Sequence, residues 1–136
     1  MIEKVLVGTD TSAAADLAVE AAAGLAAKHE AELLVVYVRG ERQTGDFVDP
    51  KKAADPDGYL ARMKARFPTL RVRSWSERGD PAERLCEVAA AERADTIVVG
   101  NRGAQGSRWR VRESVPTMVV RHAPCSVFIV DTRKAQ

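Results

Sequence analysis

The sequence of 136 residues holds only two cysteines, Cys86 and Cys125, in neither a CxxC pair nor a zinc-like spacing. That scarcity speaks against a disulfide scaffold or a metal centre and predicts two inert thiols in a reducing cytosol. Excess charge is equally scarce. A formal net charge of +2 is too small for a nucleic-acid binder, so local arginine clusters matter more than the total. Long apolar runs are missing too. The start, MIEKVLVGTD, has a charged pair and one short apolar-rich run, too brief for a signal peptide or a membrane span. A soluble, cytoplasmic protein is expected. Histidine occurs twice, at His29 and His122, both at expected helix ends where the helix dipole favours imidazolium, with no nucleophile or metal partner in view. Two nucleotide signatures are absent: a GxxxxGK sequence followed by Ser or Thr, and a GxGxxG after the first strand.

What the sequence does contain is an ordinary globular balance, 46% hydrophobic and 29% charged residues, enough for one domain spanning residues 1–136 without staples. KVLVGTD, stopping near Gly8, reads as a buried strand. Ser12 to Lys28 reads as a helix with Ala15, Ala18, Ala22, Leu25 and Ala26 inward and Asp16 and Glu20 toward solvent. Ala31 to Val38 is a second apolar strand. The loop from Arg39 to Gly58 is rich in glycine, proline and charge. Tyr59 to Phe67 reads as a short helix closed by Pro68. LRVRSW, Leu70 to Trp75, alternates and suits an edge strand. Asp80 as N-cap, Pro81 at the first helical position and Glu83 form a capping box, with Leu85, Val88 and Ala89 inward. DTIVVG is another buried strand. Ser114 caps a helix to His122 with Val115, Met118 and Val119 inward, and SVFIV is the last strand. Strands alternating with helices, most of them apolar on both faces, predict a doubly wound α/β domain with a parallel sheet and helices on both faces.

In such a sheet a ligand binds beyond the carboxyl ends of the strands, where strand order reverses. The residues just after the strands are therefore the candidates: Gly8, Thr9 and Asp10, then Val38 to Gly40, then Gly100 to Gly106. The last group opens the richest stretch, VVGNRGAQGSRWRVRESVP. Gly100 and Gly103 allow a tight turn that exposes backbone N–H groups as an anion nest. Ser114 stands where the next helix presents its N–H groups, and Arg102, Arg108, Arg110 and Arg112 add positive charge. The stretch is either a phosphate cradle or a surface loop with solvated arginines. Asp10 is either an N-cap or Asx turn, or an acceptor for a sugar hydroxyl or base amine. Trp109 either stacks on a base or partner, or folds onto the sheet.

VLVGTDTSAAADLAVEAAAGLA, ADTIVVGNRG and SVPTMVVRHAPCSVFIV together resemble the universal stress protein family over nearly the whole chain. The resemblance implies a five-stranded parallel sheet in the order 3-2-1-4-5 and a homodimer paired through Ser126 to Val130. One branch of that family binds ATP through Gly, two residues, Gly, nine residues, Gly, then Ser or Thr. In this sequence Gly100, Gly103 and Ser114 match, and Arg102 and Val115 flank them. Glu113 stands where the glycine is expected. By the same resemblance Thr9 and Asp10 lie at the nucleoside contact and Val38 at a backbone contact to adenine. A carboxylate at Glu113 sets like charge beside the phosphates. Such a pair ~4 Å apart costs about 1 kcal/mol in water and about 4 kcal/mol at an effective dielectric of 20, the latter roughly a thousandfold in affinity. Weak or absent binding of ATP is expected, unless Glu113 turns to solvent or pairs with Arg110 or Arg112. The expected role is in the stress response, by binding and not by catalysis, with no nucleic-acid or membrane partner. An adenine-nucleotide enzyme of the ATP-pyrophosphatase-like type is the alternative, but GTDTS is a poor glycine-rich serine loop. A receiver domain would need an acidic cluster where Asp10 stands alone.

Overall fold

β-Branched and aliphatic runs interrupted by alanine-rich or capped segments fold as alternating strands and helices. The computed structural model describes residues 1–39, 56–101 and 114–133. In chain order the elements are β1 (Lys4–Thr9), α1 (Ala13–His29), β2 (Glu32–Arg39), α2 (Pro56–Arg66), β3 (Val72–Arg78), α3 (Pro81–Glu92), β4 (Thr96–Gly100), α4 (Val115–His122) and β5 (Ser126–Val130). The strands form one five-stranded sheet in the order β3-β2-β1-β4-β5, and every neighbouring pair is parallel. This is the doubly wound α/β fold expected from the sequence.

Side chains alternate across a strand, so each central strand feeds two cores. Val5 and Val7 of β1, Leu33 and Val35 of β2 and Val98 of β4 pack with α1 and α2. Leu6, Leu34, Val36, Ile97 and Val99 pack with α3 and α4. A strand buried on both faces must be apolar throughout, which is why these runs do not alternate with polar residues. α1 presents Ala14, Ala18, Val19, Ala22, Ala23 and Ala26 to the sheet. Ala15 and Leu25, expected inward, are only half-buried. A helix made mostly of alanine gives little contrast between its faces, so its phase is poorly marked in the sequence.

Three helices start on side-chain caps. Ser12 accepts the Ala15 N–H at 3.2 Å, Asp80 accepts the Glu83 N–H at 2.9 Å, and Ser114 accepts the Thr117 N–H at 3.4 Å. α2 begins at Pro56, three residues before the expected Tyr59, because proline fits a first helical turn. β3 runs on to Arg78, beyond the expected Trp75, with Arg39 of β2 opposite Arg78. At a sheet edge polar residues extend a strand without penalty, so the hydrophobic pattern ends before the ladder does. Gly79 then turns the chain at φ +131°, a conformation suited to glycine, with an added Cβ 2.9 Å from the Arg84 Cδ.

At the amino edge of the sheet, Asp95 ties β1 to β4. Its Oδ2 accepts the backbone N–H groups of Glu3 at 2.7 Å and Lys4 at 2.9 Å, while its own N–H donates to the Lys4 carbonyl at 2.9 Å. Those two backbone donors hold its carboxyl below the usual aspartate range. We predict that Asp95→Ala lowers stability by about 1.5–3 kcal/mol, since hydrogen bonds to a charged group are worth about that much, measured as a shift of the urea midpoint. Because the folded carboxyl titrates below the unfolded one, this contribution is complete above about pH 4 and lost as the pH falls through the folded value. The wild type should therefore lose more stability than Asp95→Ala between neutral and strongly acid pH.

Candidate functional site

Successive strands step outward from β1 to β2 and β3, then the chain crosses back to β4 and β5, so order reverses between β1 and β4. The last ladder pair of that seam is Val7 opposite Val98. Two residues further along each strand stand Thr9 and Gly100, the two strand ends that face the reversal point. α4 links two parallel strands, so it runs against them and its N-terminus, Ser114, belongs to this same carboxyl edge.

Thr9 is fully buried and Asp10 is 4% exposed. Polar groups so placed must be hydrogen-bonded or cost several kcal/mol, and both are. Asp10 Oδ1 accepts the Ser12 N–H at 2.9 Å. The Thr9 hydroxyl accepts the Thr11 N–H at 3.0 Å and donates to the Tyr59 hydroxyl at 3.0 Å. Tyr59, on α2 and buried, donates in turn to Asp16 Oδ1 at 2.6 Å. Burial first, and the Asp16 carboxylate next, push the Tyr59 hydroxyl far above the ordinary tyrosine range, so it stays protonated and donating. Asp16 is therefore not a solvent-facing residue as expected. It and Glu20, one turn on, are the two points where α1 grips α2, the second through an ion pair with Arg66. Nothing beside either acid in the sequence marks these partners, which lie 43 and 46 positions further on.

Of the expected glycine turn after β4, only Gly100 and Asn101 fall among the described residues. Gly100 is the last residue of the strand, opposite Val130, and is not among the residues of positive φ. What requires glycine there is space. An added Cβ would lie 2.7 Å from Thr132 Cγ2 and 3.0 Å from its Oγ1, and Thr132 is 1% exposed. Asn101 continues the ladder through its N–H to the Val130 carbonyl at 2.8 Å, and its Oδ1 accepts the Thr132 N–H at 3.0 Å.

Val38 is fully buried near the end of β2, opposite Glu77. Ser114 is exposed and its hydroxyl is engaged with Thr117, 2.6 Å between the two oxygens. Val115 is buried against β4 and α3, so its side chain belongs to the core. In the first turn of α4, Pro116 lacks an N–H and the Thr117 N–H faces Ser114, which reduces what that helix end can offer an anion. Arg102, Gly103 and Glu113, with Arg108, Trp109, Arg110 and Arg112, lie outside the described residues, as does most of the loop from Arg39 to Gly58. Among the described residues no group of three or more His, Cys, Asp or Glu side chains could hold a metal ion, and no helix is long and apolar enough to cross a membrane. Cys86 and Cys125 are free, and burial pushes both thiols upward.

A family model described as the universal stress protein family matches residues 1–131. Universal stress protein Slr1101 of Synechocystis sp. is 41% identical over 54 residues, 40% of this chain and 50% of that protein. Universal stress protein Sll1654 of the same organism is 25% identical over 135 residues, 96% of this chain and 86% of its own length. Among solved structures, a universal stress protein in complex with cAMP superimposes with a TM-score of 0.77 at 28% identity, covering 96% of this chain and 98% of that one.

The Gly100–Thr132 contact gives a test of how β4 ends. Gly100→Ala should destabilise the protein by about 1–3 kcal/mol through overpacking, read as a lowered thermal midpoint. Adding Thr132→Ala, which removes the obstructing atoms, should recover part of that loss. An unchanged midpoint in Gly100→Ala would show that the strand end yields freely.

Proposed function

The chain belongs to the universal stress protein family, and from that premise we propose a stress-response protein that holds an adenine nucleotide between the ends of β1 and β4. It acts through the bound state and not through turnover. The observation that carries this reading is the buried pair Thr9 and Asp10 at the reversal point of the sheet. A carboxylate can accept from several partners at once, which suits Asp10 to a ribose hydroxyl or a base amine. Its fixed bond from the Ser12 N–H suits holding a ligand better than exchanging protons. Val38 supplies the adenine end through its backbone, and Gly100, Arg102, Gly103, Ser114 and Val115 line the phosphate end. The cAMP complex of a relative 28% identical supports the ligand class.

The phosphate end is degenerate in this reading. Glu113 replaces the glycine of the ATP motif, and α4 begins with few donors to compensate, because Pro116 has none and Thr117 is engaged by Ser114. ATP should bind weakly. Calorimetric titration should give Glu113→Gly roughly five- to a thousandfold tighter ATP binding than the wild type, the range spanned by a like charge ~4 Å away in water and at an effective dielectric of 20. Submicromolar binding by the wild type would overturn the degenerate motif.

We further propose a homodimer through β5. Its open edge carries Phe128, 49% exposed, and Ile129, 47% exposed, with Val120 of α4 nearby in sequence at 55%. An apolar edge strand is an aggregation risk unless paired, and a two-fold axis pairs it with its own copy. Two free thiols held above their ordinary range suit a reducing, cytoplasmic setting. Phe128→Lys should convert the dimer to monomer in sedimentation at micromolar concentration; a wild type that is itself monomeric there would refute the β5 dimer.

A further inference from the structure

We infer that Tyr59 is a positioning residue for the nucleoside pocket: through Thr9 it fixes the turn that carries Asp10. This rests on the nucleotide-binding reading of the same strand ends. The turn needs fixing. Between β1 and α1 the chain passes through Thr11 at φ +71°, a left-handed conformation that costs a residue with a Cβ and is rare for a β-branched one. Two side chains hold it there. Asp10 Oδ1 takes the Ser12 N–H, and the Thr9 hydroxyl oxygen takes the Thr11 N–H. The second bond needs the Thr9 proton to point elsewhere, and it points to Tyr59.

The direction of this chain is set at its far end. An ionised carboxylate only accepts, so Asp16 forces the Tyr59 proton toward itself. The Tyr59 oxygen is then the acceptor for Thr9, and the Thr9 oxygen the acceptor for Thr11. Each bond polarises the next. A residue on α2 thereby dictates the rotamer of a residue on β1, some fifty positions earlier, and with it the backbone that aims Asp10. Tyr59 touches no ligand in this scheme. Arg66 supplies the contrast: it also fastens α2 to α1, through Glu20, but it makes no bond to Thr9 or Tyr59 among those seen.

The experiment is an NMR titration with AMP, well below the thermal midpoint of each variant, of the wild type, Tyr59→Phe, Arg66→Ala, Asp10→Asn and the Asp10→Asn/Tyr59→Phe pair. Tyr59→Phe should weaken AMP about five- to tenfold, with the largest amide shift changes at Thr11 and Ser12. Arg66→Ala should leave affinity within twofold. On the Asp10→Asn background the tyrosine change should add less than twofold, because its effect runs through Asp10. Thr9→Val, which removes the hydroxyl and keeps the shape, carries the same test if Tyr59→Phe does not fold. Equal affinity in Tyr59→Phe and wild type, equal loss in Arg66→Ala, or full additivity with Asp10→Asn overturns the positioning role while nucleotide binding stands. If neither the wild type nor Glu113→Gly binds AMP or ATP, the functional reading falls and this inference with it.

Discussion

Burial on both faces of β1 is the constraint from which the rest follows. From Val5 to Asp10 every residue of this strand and its exit is shielded from solvent. Apolar side chains satisfy that condition by packing at Val5, Leu6 and Val7, in register with Leu33, Leu34 and Val35 of β2. Where the sequence changes to threonine and aspartate, packing cannot replace lost hydration, so every polar atom must find a protein partner. The hydrogen-bonded chain through Thr9, Tyr59 and Asp16 and the Asp10 bond to Ser12 are the answer to that demand. The hydrogen-bonded turn after β1 thus begins as a burial problem at the end of a hydrophobic strand.

The two edges of the sheet solve a different problem in opposite ways. β3 is guarded by charge: Arg73 reaches Glu32 and Glu92 at 3.0 and 2.6 Å and lies over the Trp75 ring, while the Trp75 indole N–H donates to Glu77 at 3.0 Å. Those ion pairs sit at the surface and add little to stability. Their effect is on what the edge will accept, since desolvating them against another strand would be costly. Among the described residues β5 shows no such charged guard, and its Phe128 and Ile129 are about half exposed. That asymmetry between the edges is what the proposed β5 dimer would use.

Much of this was legible in the sequence, and the parts that were not share a cause. β1, β2 and β4 were visible because burial on two faces forces an unbroken apolar run. α3 and α4 were visible because Asp80, Pro81 and Ser114 are local signals. Their caps depend on residues within one turn. The reason for Gly100 was not visible, because the atom that forbids a side chain belongs to Thr132 on the far side of α4 and β5. Asp16 looked like a surface acid because nothing near it in sequence announces Tyr59. Local chemistry is written locally; a residue whose role is set by a partner forty positions away carries no mark of it. Thr9 and Asp10 were singled out because the fold class says where strand ends matter, and again by the family resemblance.

The two ends of the proposed pocket are unequal in a way that bears on what it would recognise. At the nucleoside end, a left-handed Thr11 is held by the Thr9 hydroxyl on its own N–H, by the Asp10 carboxylate on the next N–H and by a relay to a second helix, so its geometry exists before any ligand arrives. Preorganised acceptors of this kind lower the cost of binding because nothing need be ordered on contact. At the phosphate end the described donors are few: a proline at the second position of α4, a threonine N–H turned to its own cap, and a glutamate in the sequence where backbone approach would favour glycine. Recognition built on such a frame is weighted toward the base and ribose and away from the polyphosphate. A pocket so weighted would distinguish poorly between nucleotides that differ only in phosphate number, and would respond to the adenosine moiety they share.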